Sequence, residues 1–182
     1  VDWAKESGYK KIVLGGHSYG TNKVVYYLSN NQDEKIDKYI LISPTDTGRL
    51  KDHERSSADE LMPIAKKFKQ ENRLDELLPI EFDECNLYTA RAFLDFIENK
   101  NAKNLPIYGQ LGSWEQLKKI NQIGLFVMGE KDSFGFGDTQ KHLETINQNS
   151  KNKNNDIKTI ESTGHIFRGK EEKLAEVILK FI

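Results

Sequence analysis

A chain of 182 residues holds one hydrophobic core of ordinary size and leaves room for an insertion rather than a second large domain. Its 27 Lys and Arg against 28 Asp and Glu give a net charge of -1, with no excess of either sign to attract nucleic acid or an anionic membrane. The single cysteine, Cys85, closes no internal disulfide and no Cys/His spacing matches a zinc site, so a reducing, cytoplasmic setting is the expectation.

The chain opens on "VDWAKESGYK", which lacks an initiating methionine and has no apolar signal-peptide core. No later run approaches the roughly 20 apolar residues needed to cross a bilayer. Asp2 to Ser7 has helical composition, with Gly8 placed where a left-handed terminator is common. Lys11 to Leu14 follows as a short β-branched apolar run, expected to be a strand buried on both faces as in a parallel sheet covered by helices. After a glycine-rich turn, Val24, Val25 and Leu28 recur at helical spacing.

The strand-then-helix unit repeats. Tyr39 to Ile42 reads as a second buried strand stopped by Pro44, and Leu125 to Met128 as a third stopped by Gly129. "DIKTIE" is a weaker fourth, followed by a closing helix with Leu174, Val177, Ile178 and Phe181 on one face. Alternation of this kind implies a three-layer α/β fold with a mostly parallel sheet. Residues 48–111 interrupt it with amphipathic helical sequence and no strand signal. "SSADELMPIAKKFKQ" reads as a serine-capped helix, and "LYTARAFLDFIENK" as a second with a mixed apolar band. An insertion after the carboxyl end of a strand falls where open α/β sheets bind ligands, which favours a helical cap. The division expected is therefore a core of 1–47 and 112–182 and a cap of 48–111. "NQNSKNKNNDIK" reads as a solvated surface loop.

The chemistry centres on Gly16-His17-Ser18-Tyr19-Gly20, a G-x-S-x-G match lying between a strand and a helix, the context that gives the motif meaning. A serine on so sharp a turn takes a strained backbone, and side chains two residues to either side are expected to collide, so both glycines are expected to be required. A serine hydroxyl needs a base, and the base an orienting carboxylate. His165, between the last strand and the closing helix, lies at the correct rim. His17 is too near in sequence to act on its neighbour and is expected to line the substrate site. His142 and His53, among helix and loop charges, read as solvated. Asp132 and Asp46 both follow strand ends and compete to orient His165, with Glu130 a remote third.

At these residues the chain resembles the α/β-hydrolase family, whose catalytic order of serine, acid and histidine is matched by Ser18, Asp132 and His165. The resemblance favours Asp132, in its Gly129-to-Asp132 setting, over Asp46. It covers the elbow strand and helix, the next strand, a helical cap, the acid strand and the histidine loop. It implies a serine hydrolase cleaving a carboxylic ester or related acyl bond of a small molecule, with the Tyr19 backbone N–H as one oxyanion donor and no cofactor or metal. Substrate choice falls to the cap. Tyr88, Phe93, Leu94 and Phe96 form either an acyl wall or, more often for such residues, helix packing, while the many charges there disfavour an interfacial lipase.

The family's amino-terminal strands, one of which brings the second oxyanion donor, are absent from this sequence. The resemblance is therefore to a carboxyl-terminal portion, and a partner chain or a missing amino-terminal segment is expected to cover the exposed edge of the elbow strand. The alternative in another class is a noncatalytic α/β-hydrolase-like binding or interaction module, or an inactive fragment of a hydrolase.

Overall fold

The computed structural model describes residues 1–31, 34–45, 55–79, 88–98 and 114–182, leaving aside the side chains of 55–57, 96 and 98. The chain divides into two compact units, one of Val1–Gly48 with Pro106–Ile182 and one of Arg49–Leu105.

In the first unit, helix α1 (Asp2–Glu6) ends before Gly8, whose φ of 87° makes the turn out of the helix. Strands β1 (Val13–His17), β2 (Lys38–Ile42), β3 (Ile123–Gly129) and β4 (Asp156–Ile160) form one sheet in the order β1-β2-β3-β4, every neighbour parallel. Parallel neighbours need crossovers. Helix α2 (Tyr19–Asn31) lies on the path from β1 to β2, and α5 (Thr139–Asn149) on that from β3 to β4. The register sets His17 beside Ile42 and Ile42 beside Val127, so consecutive strands deliver their carboxyl ends to one rim.

Side-chain alternation along the strands divides the core into two layers. Tyr39, Leu41, Phe126 and Met128 face one way and pack with Val24, Val25 and Leu28 of α2 and Leu143 and Ile146 of α5. Ile40, Leu125 and Val127 face the other way, against Leu174, Val177 and Phe181 of the closing helix α6 (Glu171–Phe181). Helix, sheet and helix make the three layers expected. Lys38 Nζ, donating to the Phe181 carbonyl, ties the end of α6 to the sheet.

Two sequence expectations need correction here. The first strand begins at Val13 rather than Lys11, and its residues are half-buried or exposed rather than buried on both sides. Among the described residues β1 has a single neighbour in the sheet, β2, and an edge strand keeps solvent access that a central strand loses. The asparagine-rich segment is also not all solvated surface. Asn155 is buried, its Oδ1 accepting the Gly124 N–H at 2.7 Å and its amide donating to Asn147 Oδ1 and to the Asn152 carbonyl. These side chains satisfy backbone at the start of β3 that would otherwise lack a partner.

The second unit contains α3 (Arg55–Gln70) and α4 (Ala90–Glu98), with an antiparallel bridge between Leu77 and Thr89. Helix α3 starts at Arg55, so the serines expected to cap it lie inside it, as does Pro63. Leu61, Ala65, Leu78, Ala90, Phe93 and Leu94 form a core belonging to this unit. Phe93 and Leu94 are thus spent on helix packing, and Tyr88 packs half-buried against the same cluster.

Candidate active site

Ser18 follows the last residue of β1 and precedes the first of α2, with φ at +55°. A non-glycine residue held there costs about 1–3 kcal/mol and persists only where its surroundings fix it. Here they do. The Ser18 N–H donates to the Ile42 carbonyl at 2.8 Å, while its own carbonyl accepts from the Thr21 N–H at 2.9 Å and the Thr21 hydroxyl at 2.6 Å. The turn brings the start of α2 onto Gly16, where an added Cβ would lie 2.4 Å from the Gly20 oxygen and 2.9 Å from the Thr21 nitrogen. The crowding is one-sided, because among the described residues a Cβ on Gly20 meets nothing within 4 Å. Only the first of the two motif glycines is sterically required, contrary to the expectation for both.

His165 Nε2 lies 2.8 Å from Ser18 Oγ, and its Nδ1 lies 3.1 Å from each Asp132 oxygen. A carboxylate can only accept, so Nδ1 carries the proton and Nε2 is left as the acceptor for the serine hydroxyl. Asp132 is buried and sits after β3. Its Oδ1 also caps the short 3₁₀ turn Ser133–Gly135 by accepting the Phe134 N–H at 3.0 Å. The carboxylate is therefore oriented by backbone before it meets the imidazole.

The loop carrying His165 lies hard against the end of β3. A Cβ on Gly129 would stand 2.5 Å from the carbonyl oxygens of both Thr163 and Gly164. Glu130 is no competitor for the imidazole, since its carboxylate accepts the Ser162 N–H at 2.9 Å and so braces this loop. The Lys131 N–H adds a bond to the Thr163 carbonyl at 2.9 Å.

Tyr19 is the first residue of α2, where a backbone N–H has no intrahelical acceptor and points outward from the helix start. Burial pushes its phenol above the usual tyrosine range, keeping the hydroxyl neutral near pH 7. The imidazole of His17 lies 4.9 Å from that of His165, centroid to centroid, and its Nε2 is engaged with the His165 carbonyl at 2.9 Å. His142 corrects its expected solvation. It is half-buried and its Nε2 lies 3.0 Å from the Pro44 carbonyl. His53, Asp46 and Cys85 lie outside the described residues.

Two neighbours of His165 escaped sequence reasoning. The ring of Phe134 sits 4.5 Å from that of His165, and the buried Ser43 hydroxyl donates to the His165 carbonyl at 3.3 Å. The signal available for both was position alone: each stands just past the carboxyl end of a strand.

A family model described as a protein of unknown function, DUF1749, matches residues 1–179. The chain belongs to this family. No curated protein matches this DUF1749 chain. Solved structures similar to it include Est1E from Butyrivibrio proteoclasticus, 19% identical with a TM-score of 0.58 over 99% of this chain and 63% of that one. An esterase from Pyrococcus furiosus is 16% identical, with a TM-score of 0.56 over 99% of this chain and 57% of that one. MenH from S. aureus is 20% identical, with a TM-score of 0.56 over 99% of this chain and 71% of that one. The likeness establishes the α/β-hydrolase fold, and the DUF1749 chain spans less than two thirds of the length of two of these structures. No helix among the described residues is long and apolar enough to cross a membrane.

Proposed function

We propose that this protein is a serine hydrolase acting on a carboxylic ester or related acyl bond of a small molecule. The observation that carries the reading is the unbroken chain of contacts from a buried carboxylate through an imidazole to a hydroxyl on a left-handed turn. Ser18 Oγ attacks the acyl carbonyl while His165 Nε2 takes its proton, and Asp132 stabilises the resulting imidazolium. The Tyr19 N–H donates to the oxyanion as charge develops on it. His165 then returns the proton to the leaving oxygen, leaving Ser18 acylated, and water activated by the same imidazole releases the acid. His17 stands beside the reacting groups, its ring 4.9 Å from that of His165.

The test is covalent labelling with a fluorophosphonate, which reports an activated serine without knowledge of the substrate. Stoichiometric labelling that vanishes in Ser18→Ala is expected. A folded full chain that takes up no label supports instead a noncatalytic binding module.

A further inference from the structure

The His165 carbonyl is the convergence point of two side chains from different strands. His17 Nε2, at the end of β1, lies 2.9 Å from it, and Ser43 Oγ, just past β2, donates to it at 3.3 Å. A carbonyl oxygen only accepts, so His17 must carry its proton on Nε2, and two donors fill both lone pairs of this oxygen.

Each donor is itself held. The His17 ring lies 4.9 Å from the His165 ring and 6.5 Å from that of the buried Phe167. Ser43 is fully buried, with its backbone at φ +49°, its N–H on the Val127 carbonyl at 2.7 Å and its own carbonyl accepting from Thr45 Oγ1 at 3.2 Å. A left-handed serine in a buried turn is conformationally costly, and here the conformation is the one that delivers the hydroxyl to His165.

We infer that His17 and Ser43 are positioning residues that clamp the backbone of His165, so that the imidazole is held in reach of Ser18 by its main chain as well as by Asp132. The inference rests on the serine-hydrolase reading for its kinetic consequence but not for its geometry. His17 is the residue immediately before the nucleophile, so its bond ties the main chain of the base to the segment that carries the hydroxyl. Without the clamp the main chain of the loop keeps its hydrogen bonds to Glu130 and Lys131 but loses those at the His165 carbonyl. A displacement of about 1 Å at a reacting group is worth on the order of 10²-fold in rate.

The experiment compares the wild-type full chain with His17→Leu, His17→Gln and Ser43→Ala. Turnover of a p-nitrophenyl ester is followed together with the ¹H NMR signal of the His165 Nδ1 proton, assigned by its loss in His165→Gln. His17→Leu is expected to lower kcat by about 10- to 100-fold with little change in KM. His17→Gln keeps an N–H donor and should recover most of that loss, and Ser43→Ala should give a smaller fall in kcat. The Nδ1 signal should persist in the wild type and His17→Gln and broaden in His17→Leu. A raised KM with unchanged kcat in His17→Leu assigns His17 to substrate contact and overturns the clamp. Equal impairment of the Gln and Leu variants overturns it too. If His17→Leu does not fold, Ser43→Ala decides the matter: wild-type kcat together with an unaltered signal in that variant refutes it. Should the wild type turn over no ester and take no fluorophosphonate, the hydrolase reading fails, while the NMR comparison still reports on the clamp by itself.

Discussion

The two glycines of the elbow should respond to alanine in opposite directions. Neither has a positive φ, so the difference lies in the space at each Cβ and in helix position rather than in backbone strain. A Cβ at Gly16 would lie 2.4 Å from the Gly20 oxygen, 2.5 Å from its carbonyl carbon and 2.9 Å from the Thr21 nitrogen. All three are backbone atoms of the first turn of α2, and none can rotate aside. Restoring an ordinary contact of roughly 3.4 Å means moving β1 and α2 apart by about 1 Å, a strain of the order of the 1–3 kcal/mol typical of overpacking. The same shift carries Ser18 away from His165, so labelling by a fluorophosphonate should slow by about 10². Gly20 has open space at its Cβ among the described residues and lies within the helix, where alanine is better than glycine by up to about 1 kcal/mol. Urea unfolding of the two variants, analysed at a common m-value, gives the stability difference directly, and labelling kinetics give the displacement. Gly16→Ala is expected to be destabilised and slow, Gly20→Ala equal to or more stable than the wild type and fast. If Gly16→Ala unfolds within about 0.5 kcal/mol of the wild type and labels normally, or if Gly20→Ala suffers as much, the crowding argument is refuted.

Asp132→Asn should stay folded and lose about 10⁴ in kcat. The Phe134 N–H and the His165 Nδ1–H both donate to the carboxylate, and an amide with one oxygen leaves an N–H facing the imidazole or the backbone. Steady-state turnover at the wild-type level in that variant would transfer the role to Asp46. Gly129→Ala should push the His165 loop back by about 1 Å, because the Thr163 and Gly164 carbonyl oxygens of that loop would stand 2.5 Å from the new Cβ, and slow labelling by roughly 10². Wild-type labelling in folded Gly129→Ala would mean that the loop re-seats without consequence for the imidazole.

What the sequence made legible follows from the range over which each signal acts. Central strands were read correctly because burial on both faces demands runs such as Tyr39 to Ile42, and the structure keeps these residues buried save at the strand ends. The elbow was legible because strand, turn and helix are contiguous in the chain. The first strand was misplaced because the apolar residues near its start, Ile12 and Val13, precede its glycines, while hydrogen-bond register with β2 carries the strand on through Gly15 and Gly16 to His17. Apolarity marks what is buried, and pairing decides what is strand.

The side chains that hold the imidazole were harder to see, and the separations show why. Ser18, Asp132 and His165 could be proposed together because chemistry demands three residue types in reach of one another, so the absence of any one would be noticed. Nothing demands a particular donor for a backbone carbonyl, and His17 and Ser43 meet the His165 carbonyl across 148 and 122 residues of sequence. His142 was misread for the same reason: its partner, the Pro44 carbonyl, lies 98 residues away and any donor would serve. Of the four histidines, the three described thus each bond to a group on another segment: His17 to the His165 carbonyl, His142 to the Pro44 carbonyl and His165 to Asp132 and Ser18. A sheet whose consecutive strands end at one rim makes such long-range bonds available wherever a polar side chain follows a strand. The fold therefore offers many positions from which the His165 loop can be braced, and the choice among them is set by the tertiary packing of this chain.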